Sequence, residues 1–135
     1  MAKFNTVGFE EVEKLFLKQS EIATKAVPKM LEAGAAVLVD AQKQEAAAMK
    51  IKDSGDFIKS IKASKVKTLN DAATITVAPT GKDYKGARNA EKGLVIEYGK
   101  SDTPARPWME TANAKSEEKV HRAMVEVWEE MNDGN

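Results

Sequence analysis

The chain has 135 residues, of which 42% are hydrophobic and 31% charged, a balance typical of a single soluble globular domain. Basic and acidic residues number 21 each, so no overall basic field would draw the chain to nucleic acid or to anionic lipid. The absence of cysteine excludes disulfides, iron–sulfur clusters and thiolate zinc sites. No apolar run is long enough to span a bilayer or to resemble a signal peptide. We therefore expect one domain over residues 1–135, with frayed ends at 1–8 and 132–135, that is made in the cytoplasm and has no membrane partner.

The first third of the chain has the periodicity of an α-helix. Apolar side chains recur three to four residues apart between Phe9 and about Met49: Phe9, Val12, Leu15, Phe16, Val27, Leu31, Ala35 and Leu38. Pro28 is expected to start a new helix or to kink a long one, because it lacks an amide donor. Gly34 and the neighbouring alanines form a small-residue face, which favours an ordinary core-facing stripe over packing between subunits.

The middle of the chain changes from helical to strand periodicity. Asp56 follows a Ser-Gly turn as a good N-cap residue, and the spacing of Phe57, Ile58 and Ile61 predicts a short helical turn. Residues 63–69 read as a weak strand, residues 70–71 as a turn, and residues 73–78 as a clearer strand that Pro79 ends.

Residues 80–93 are polar, contain three glycines and show no clear period, which predicts a flexible loop. Four of its residues are candidates for reaching a partner: Lys82, Tyr84, Lys85 and Arg88. The spacing of Gly81 and Gly86 imitates a phosphate-binding loop, but the Lys-Ser/Thr pair that would hold phosphate and magnesium is missing.

Residues 94–98, Leu-Val-Ile-Glu-Tyr, read as a third strand that stops at Gly99. Glu97 interrupts its apolar pattern, either as an ordinary exposed strand residue, which we favour, or as part of a surface where copies of the protein meet. A loop stiffened by Pro104 and Pro107 then leads to an amphipathic helix from about Trp108 to Met131. The order of elements predicts an α+β fold. It has a long N-terminal helical region, a small antiparallel sheet of three to four strands, and a C-terminal amphipathic helix.

Catalytic chemistry has little support in this sequence. His121 is the only histidine, and one imidazole without a second nitrogen or sulfur ligand is poor evidence for a metal site. The carboxylate pairs of the chain are adjacent on predicted helices, so their side chains diverge by about 100° and do not converge on a substrate. We predict a protein that is not an enzyme and needs no cofactor or metal.

Two segments resemble a known family of small tail-completion proteins from long-tailed phages and prophages. Residues 54–61, Ser-Gly-Asp-Phe-Ile-Lys-Ser-Ile, resemble that family's "TGdLrdSI" element. Residues 95–101 and 104–112 resemble its "vEfGTs…paqPFlrPA" element. The sequence departs from the family pattern where Ser54 and Lys100 replace threonine and where Trp108 replaces phenylalanine.

This resemblance implies a structural protein of the virion that caps the head-proximal end of the tail and joins it to the head connector. The family implies a homo-oligomeric ring, a hexamer in the virion, with tail-tube and head-connector proteins as partners and a possible passive lining of the DNA channel. Before assembly such a protein would be in the host cytoplasm. The residues expected at the subunit or partner interface are Glu97, Tyr98, Gly99, Arg106, Pro107 and Trp108.

The distribution of charge leaves two further questions open. Residues 43–67 contain seven lysines against three acidic residues, and residues 108–135 contain seven acidic residues against three basic ones. These opposite charges could balance within one packed chain, which we favour slightly, or between neighbouring subunits of a head-to-tail ring. The alternative function is a small cytosolic nucleic-acid-binding module that uses the lysine-rich segment 43–67.

Overall fold

The computed structural model describes residues 20–51, 54–69 and 72–133. Its helices are α1 (Ser20–Ala48), α2 (Ser54–Ser60), α3 (Asn89–Tyr98) and α4 (Trp108–Asp133). Its strands are β1 (Ile61–Ala63), β2 (Lys67–Leu69), β3 (Ala72–Thr74) and β4 (Val77–Pro79). The predicted helical stretch 9–19 and the predicted turn 70–71 lie outside the described residues.

The two long helices pack against each other along most of their length. Glu45 of α1 forms an ion pair of 3.1 Å with Lys115 of α4. Gly34, earlier in α1, lies against Met124, later in α4, so the helices run antiparallel. The predicted core-facing stripe is present in part: Ala35 and Ala46 are buried and Leu31 and Leu38 are half-buried, whereas Ala36 is exposed. Pro28 lies inside α1, which continues across it instead of restarting there.

Residues 61–69 and 72–79 pair as an antiparallel ribbon in two sections, which we call the basic hairpin because every charged residue in these two ranges is a lysine. β1 pairs antiparallel with β4 and β2 with β3, giving two sheets of two strands each. Between them the Ser64 amide donates to the Thr76 carbonyl over 2.7 Å, so the hairpin continues across the break. The predicted strands 63–69 and 73–78 therefore form, each in two short pieces. The α+β fold class, with its long helices and small antiparallel sheets, is confirmed.

The prediction of a strand over residues 94–98 is wrong, because these residues form the second half of helix α3. Residues 89–93, assigned to the loop in the sequence analysis, form its first half. A short apolar run does not by itself distinguish a strand from a buried helix segment. The helical period distinguishes the two here, because Gly93 and Glu97, four residues apart, are both buried on one side of the helix.

The core lies where α1, α2, β1 and α4 meet. Phe57, Ile61 and Trp108 are fully buried and pack with Ala46 and Ile51. The rings of Phe57 and Trp108 meet edge to face with their centroids 5.3 Å apart, an arrangement that aromatic pairs favour. Of the three residues whose spacing predicted the inward side of a helical turn, Phe57 and Ile61 are buried and Ile58 is half-buried, and Ile61 begins β1 instead of continuing the helix. Trp108 is a core residue.

Candidate interaction surface

Helix α3 has one buried side and one exposed apolar side. Asn89, Gly93 and Glu97 are buried. On the other side Leu94, Val95 and Tyr98 are 51%, 39% and 75% exposed. These three and Glu91 follow the i, i+3, i+4, i+7 spacing that places side chains on one stripe of a helix. We call the stripe of Glu91, Leu94, Val95 and Tyr98 the α3 face. Large apolar side chains grouped in this way are typical of a surface that contacts another protein.

Glu97 joins α3 to the start of α4. Its carboxylate accepts hydrogen bonds from the backbone amides of Met109, over 2.7 Å, and Glu110, over 3.2 Å. These amides belong to the first turn of α4, whose donors have no partner inside the helix. Glu97 is 5% exposed, so the favoured interpretation of it as an exposed strand residue is wrong. It caps a helix that begins eleven positions later in the chain.

Trp108 makes a second connection between α3 and α4. Its indole Nε1–H donates to the Gly93 carbonyl over 3.1 Å. A Cβ at Gly93 would lie 3.3 Å from the Trp108 ring and 3.2 Å from Pro79, so glycine allows the helix to approach both closely. A phenylalanine at position 108, as in the pattern that the chain resembles, could not donate this hydrogen bond.

The loop between α3 and α4 is fixed at both ends. Gly99 has φ 75° and ψ −179°, and a Cβ there would lie 2.7 Å from Thr103 O and from Ala105 N, so only glycine fits. The Arg106 amide donates to the Ile96 carbonyl over 2.7 Å. The Arg106 guanidinium donates to the Met49 carbonyl, just beyond the end of α1.

A groove of about 460 Å³ lies beside the α3 face, and we call it the Arg106 groove. Ile51 and Phe57, both almost fully buried, are among its lining residues, and Val95 belongs both to the lining and to the α3 face. The remaining lining residues are Ala87, Arg88, Glu91, Lys92, Ile96, Lys100 and Arg106. Apolar lining with a basic surround fits an amphipathic segment that carries acidic residues.

Asp83 organises the loop before α3. Its carboxylate accepts from the amides of Lys85 and Ala87, each over 2.9 Å, and forms an ion pair with Lys92. The Lys92 hydrogen bond and the amide hydrogen bonds hold the pKa of Asp83 below its ordinary value of 3.8. The carboxylate thus ties the turn at 83–87 to the first half of α3.

The four loop residues singled out from the sequence are all exposed. Lys82 and Arg88 form an isolated antiparallel bridge, and the Lys85 ammonium lies 5.4 Å from the centroid of the Tyr84 ring. The mobility of residues 80–93 stays a prediction.

The six predicted interface residues divide into two groups. Tyr98, Arg106 and Pro107 are exposed, whereas Glu97 and Trp108 are buried and Gly99 is half-buried. Sequence reasoning missed two exposed residues of the α3 face, Leu94 and Val95, because it treated residues 94–98 as a strand. The i, i+3, i+4, i+7 spacing from Glu91 to Tyr98, followed by a glycine at the helix end, was the signal for a helix.

The lysines of the basic hairpin have no acidic partner within the described parts of the chain. Lys62, Lys65 and Lys67 are exposed, as is Lys59 just before β1, and none of them forms an ion pair with a described residue. No ion pair joins these four lysines to the acidic residues of α4 in that part of the molecule, and the favoured balance of charge between segment 43–67 and α4 stays a prediction.

Within residues 20–51, 54–69 and 72–133, no group of three or more histidine, aspartate or glutamate residues could hold a metal ion. A second groove, of about 290 Å³, lies between α1 and α4, with Asp40, Glu45, Lys115 and Lys119 among its lining. None of the described helices is both long and apolar enough to cross a bilayer.

Comparison with known proteins identifies a family. Residues 10–93, more than half of the chain, match the model of the HK97-gp10-like family, described as "Bacteriophage HK97-gp10, putative tail-component". The match includes the element at residues 54–61 and stops within α3, before the second element begins. Searches of curated proteins and of solved structures find no significant match. The chain therefore belongs to the HK97-gp10-like family of phage tail components, and its role is that of a structural protein of the virion.

Proposed function

We propose that this protein caps the head-proximal end of a phage tail and joins it to the head connector by forming a homo-oligomeric ring, a hexamer in the virion. Membership of a tail-component family supports a structural role, and the resemblance of residues 54–61 and 95–112 to tail-completion proteins supports the position at the end of the tail. In this proposal the chain is in the host cytoplasm before assembly, and the ring lines a DNA channel passively, without binding DNA specifically.

The observation that carries the proposal is the exposed α3 face on a firmly anchored helix. Leu94, Val95 and Tyr98 present apolar surface to solvent, while Glu97 and Trp108 fix the opposite side of the same helix to α4. A surface that is already ordered before binding loses little conformational entropy when a partner docks. In this arrangement Tyr98, Arg106 and Pro107 contact the subunit or partner. Glu97, Gly99 and Trp108 hold that surface in shape.

The test measures two properties separately. Light scattering over a concentration series gives the mass of the free chain, and electron microscopy with purified tail tubes shows where it binds. We expect ring-sized species and binding at one end of the tubes. Tyr98→Glu should weaken both, whereas Thr74→Glu, at an exposed position of the basic hairpin, should leave both unchanged and serves as the control. A chain that stays monomeric at every concentration and does not bind the tail tubes would refute the proposal.

A second candidate function, binding to nucleic acid, rests on the basic hairpin. Its lysines are exposed and make no ion pair with described residues. The hairpin has no aromatic residue on which bases could stack, which favours contact with phosphates over readout of bases. A DNA mobility-shift assay in increasing salt tests this function, with Lys62→Glu/Lys65→Glu/Lys67→Glu as the variant. Retention of the shift in that variant would exclude the hairpin as the binding site.

A further inference from the structure

We infer that the Arg106 groove and the α3 face receive the amphipathic segment 9–16 of a neighbouring copy, so that subunits join head to tail. The inference rests on the self-association in the proposed function and assigns the two surfaces that meet. Its basis is the match between an apolar groove with basic residues around it and a segment of this same chain with the complementary pattern.

The lining of the groove indicates that its occupant is apolar on one side and acidic on the other. Val95 and the half-buried Ile96 supply accessible apolar lining, and the rest of the stripe on α3 extends the apolar surface to Leu94 and Tyr98. Of the five charged residues that line the groove, four are basic and one, Glu91, is acidic. Arg88 and Lys92 already pair with Glu91 and Asp83, which leaves Lys100 and Arg106 as the more available cations. Lys100 has only a long contact of 3.9 Å with Asp102, and Arg106 donates to a neutral carbonyl.

The segment at residues 9–16 has the complementary composition. Its sequence is Phe-Glu-Glu-Val-Glu-Lys-Leu-Phe, with apolar residues at helical spacing and three glutamates against one lysine. An amphipathic helix that lays its apolar side into a groove is a common mode of protein recognition. The acidic residues would then meet the cations at Lys100 and Arg106.

The reach of the chain excludes the segment from the groove of its own subunit. The groove lies at the end of α1 near Ile51, and α1 begins at Ser20. A helix rises about 1.5 Å per residue, so the 29 residues of α1 separate Ser20 from that end by about 42 Å. Even fully extended, at about 3.5 Å per residue, the eight steps from Ser20 back to Val12 cover only about 28 Å. The occupant must therefore come from another copy.

This geometry determines the type of assembly. A contact between two different surfaces of identical chains is heterologous, and its repetition gives a closed ring or an open filament. A contact between two α3 faces would instead be isologous and would stop at a dimer. The two arrangements can be distinguished by which positions meet.

Disulfide trapping tests the inference directly, because the chain contains no cysteine. Full-length Val12→Cys and Val95→Cys variants are mixed in equal amounts under mild oxidation, and the products are separated without reductant and identified by peptide mass spectrometry. We expect a disulfide-linked dimer that joins position 12 of one chain to position 95 of the other. In the control mixture, Thr74→Cys, at an exposed hairpin position, takes the place of Val95→Cys. The yield of the first dimer should be several times that of the control. The chain that carries both Val12→Cys and Val95→Cys should form a ladder of covalent oligomers.

Three results would overturn the inference: a mixed yield no higher than the control, dimers of Val95→Cys alone at the same yield as the mixture, or an intramolecular disulfide in the double variant. Ring-sized particles and end-binding to tubes could persist in each case, so failure here is distinguishable from failure of the proposed function. Light scattering adds a non-covalent measurement. Phe16→Glu and Leu94→Glu should each weaken association about tenfold or more, whereas Thr74→Glu should not.

Discussion

Replacing Glu97 with alanine tests the central connection of the structure, the carboxylate that caps α4 from α3. Glu97→Ala removes the acceptor of two backbone amides, those of Met109 and Glu110, at a position where little water enters. Loss of a helix cap costs about 0.5–2 kcal/mol, and the amide of the half-buried Met109 loses its acceptor at a cost of about 1 kcal/mol or more. These costs overlap, so we expect a loss of about 2 kcal/mol in the free energy of unfolding. For a chain of this length that loss lowers Tm by about 6–10 °C.

The assay is urea denaturation followed by circular dichroism, with two comparison variants. Glu97→Gln keeps an oxygen acceptor but loses the charge that favours a helix N-terminus, so we expect about half the effect, about 1 kcal/mol. Glu126→Ala removes an exposed glutamate in the body of α4 and should stay within about 0.5 kcal/mol of the wild type. Hydrogen exchange should accelerate at the Met109 amide in Glu97→Ala. An alanine variant as stable as the Glu126 control, with unchanged exchange, would refute the capping role.

Three further predictions concern the segments around α3. Gly99→Ala should destabilise the fold by about 2–4 kcal/mol in urea denaturation, because the added Cβ would meet backbone atoms of the loop. Gly86 has a similar positive φ but open space around it, so Gly86→Ala should cost only about 1 kcal/mol. Trp108→Phe should cost about 2 kcal/mol in the same assay, since it removes the indole hydrogen bond to the Gly93 carbonyl and puts a smaller ring in a fully buried site. A neutral result would show that neither loss matters. Asp83 has a pKa lowered on folding, so its contribution is fully present above the unfolded value of 3.8 and is lost as the pH falls through the folded pKa. Amide exchange in the 83–87 turn should therefore be protected at neutral pH and lose protection at acidic pH, whereas Asp83→Asn should lack most of the protection at both.

The elements that the sequence predicts well are those with strong local signals. Pro107 and the apolar spacing that follows locate the start of α4 at Trp108, because proline is favoured at the entry to a helix and disfavoured inside one. The alternation of Ile75 and Val77 with threonines predicts one arm of the hairpin, whose half-buried and exposed residues alternate as expected.

The errors arise where long-range contacts decide the structure. The run from Leu94 to Tyr98 favours a strand by local composition. The hydrogen-bonding partners of its Glu97 side chain, however, lie beyond the loop, at the start of α4. A single sequence does not reveal that Glu97 and Met109 will meet, so the burial of that carboxylate could not be derived, whereas the helical spacing from Glu91 to Tyr98 was present in the sequence. Of the predicted interface residues, Tyr98 belongs to the α3 face and Arg106 lines the groove, and their contact with a partner stays a prediction.

The attachments of α3 also determine how a mechanical load would travel through the molecule. A pull on Tyr98 is resisted by Glu97 at the first turn of α4 and, through the following loop, by Arg106 at the end of α1. Both long helices are therefore loaded at the same end of their antiparallel pair, and the force is shared along the seam where they pack. In a protein joined to its neighbours through this helix, tension would therefore act on the packed pair α1 and α4 together, and the loop between α3 and α4 would extend little.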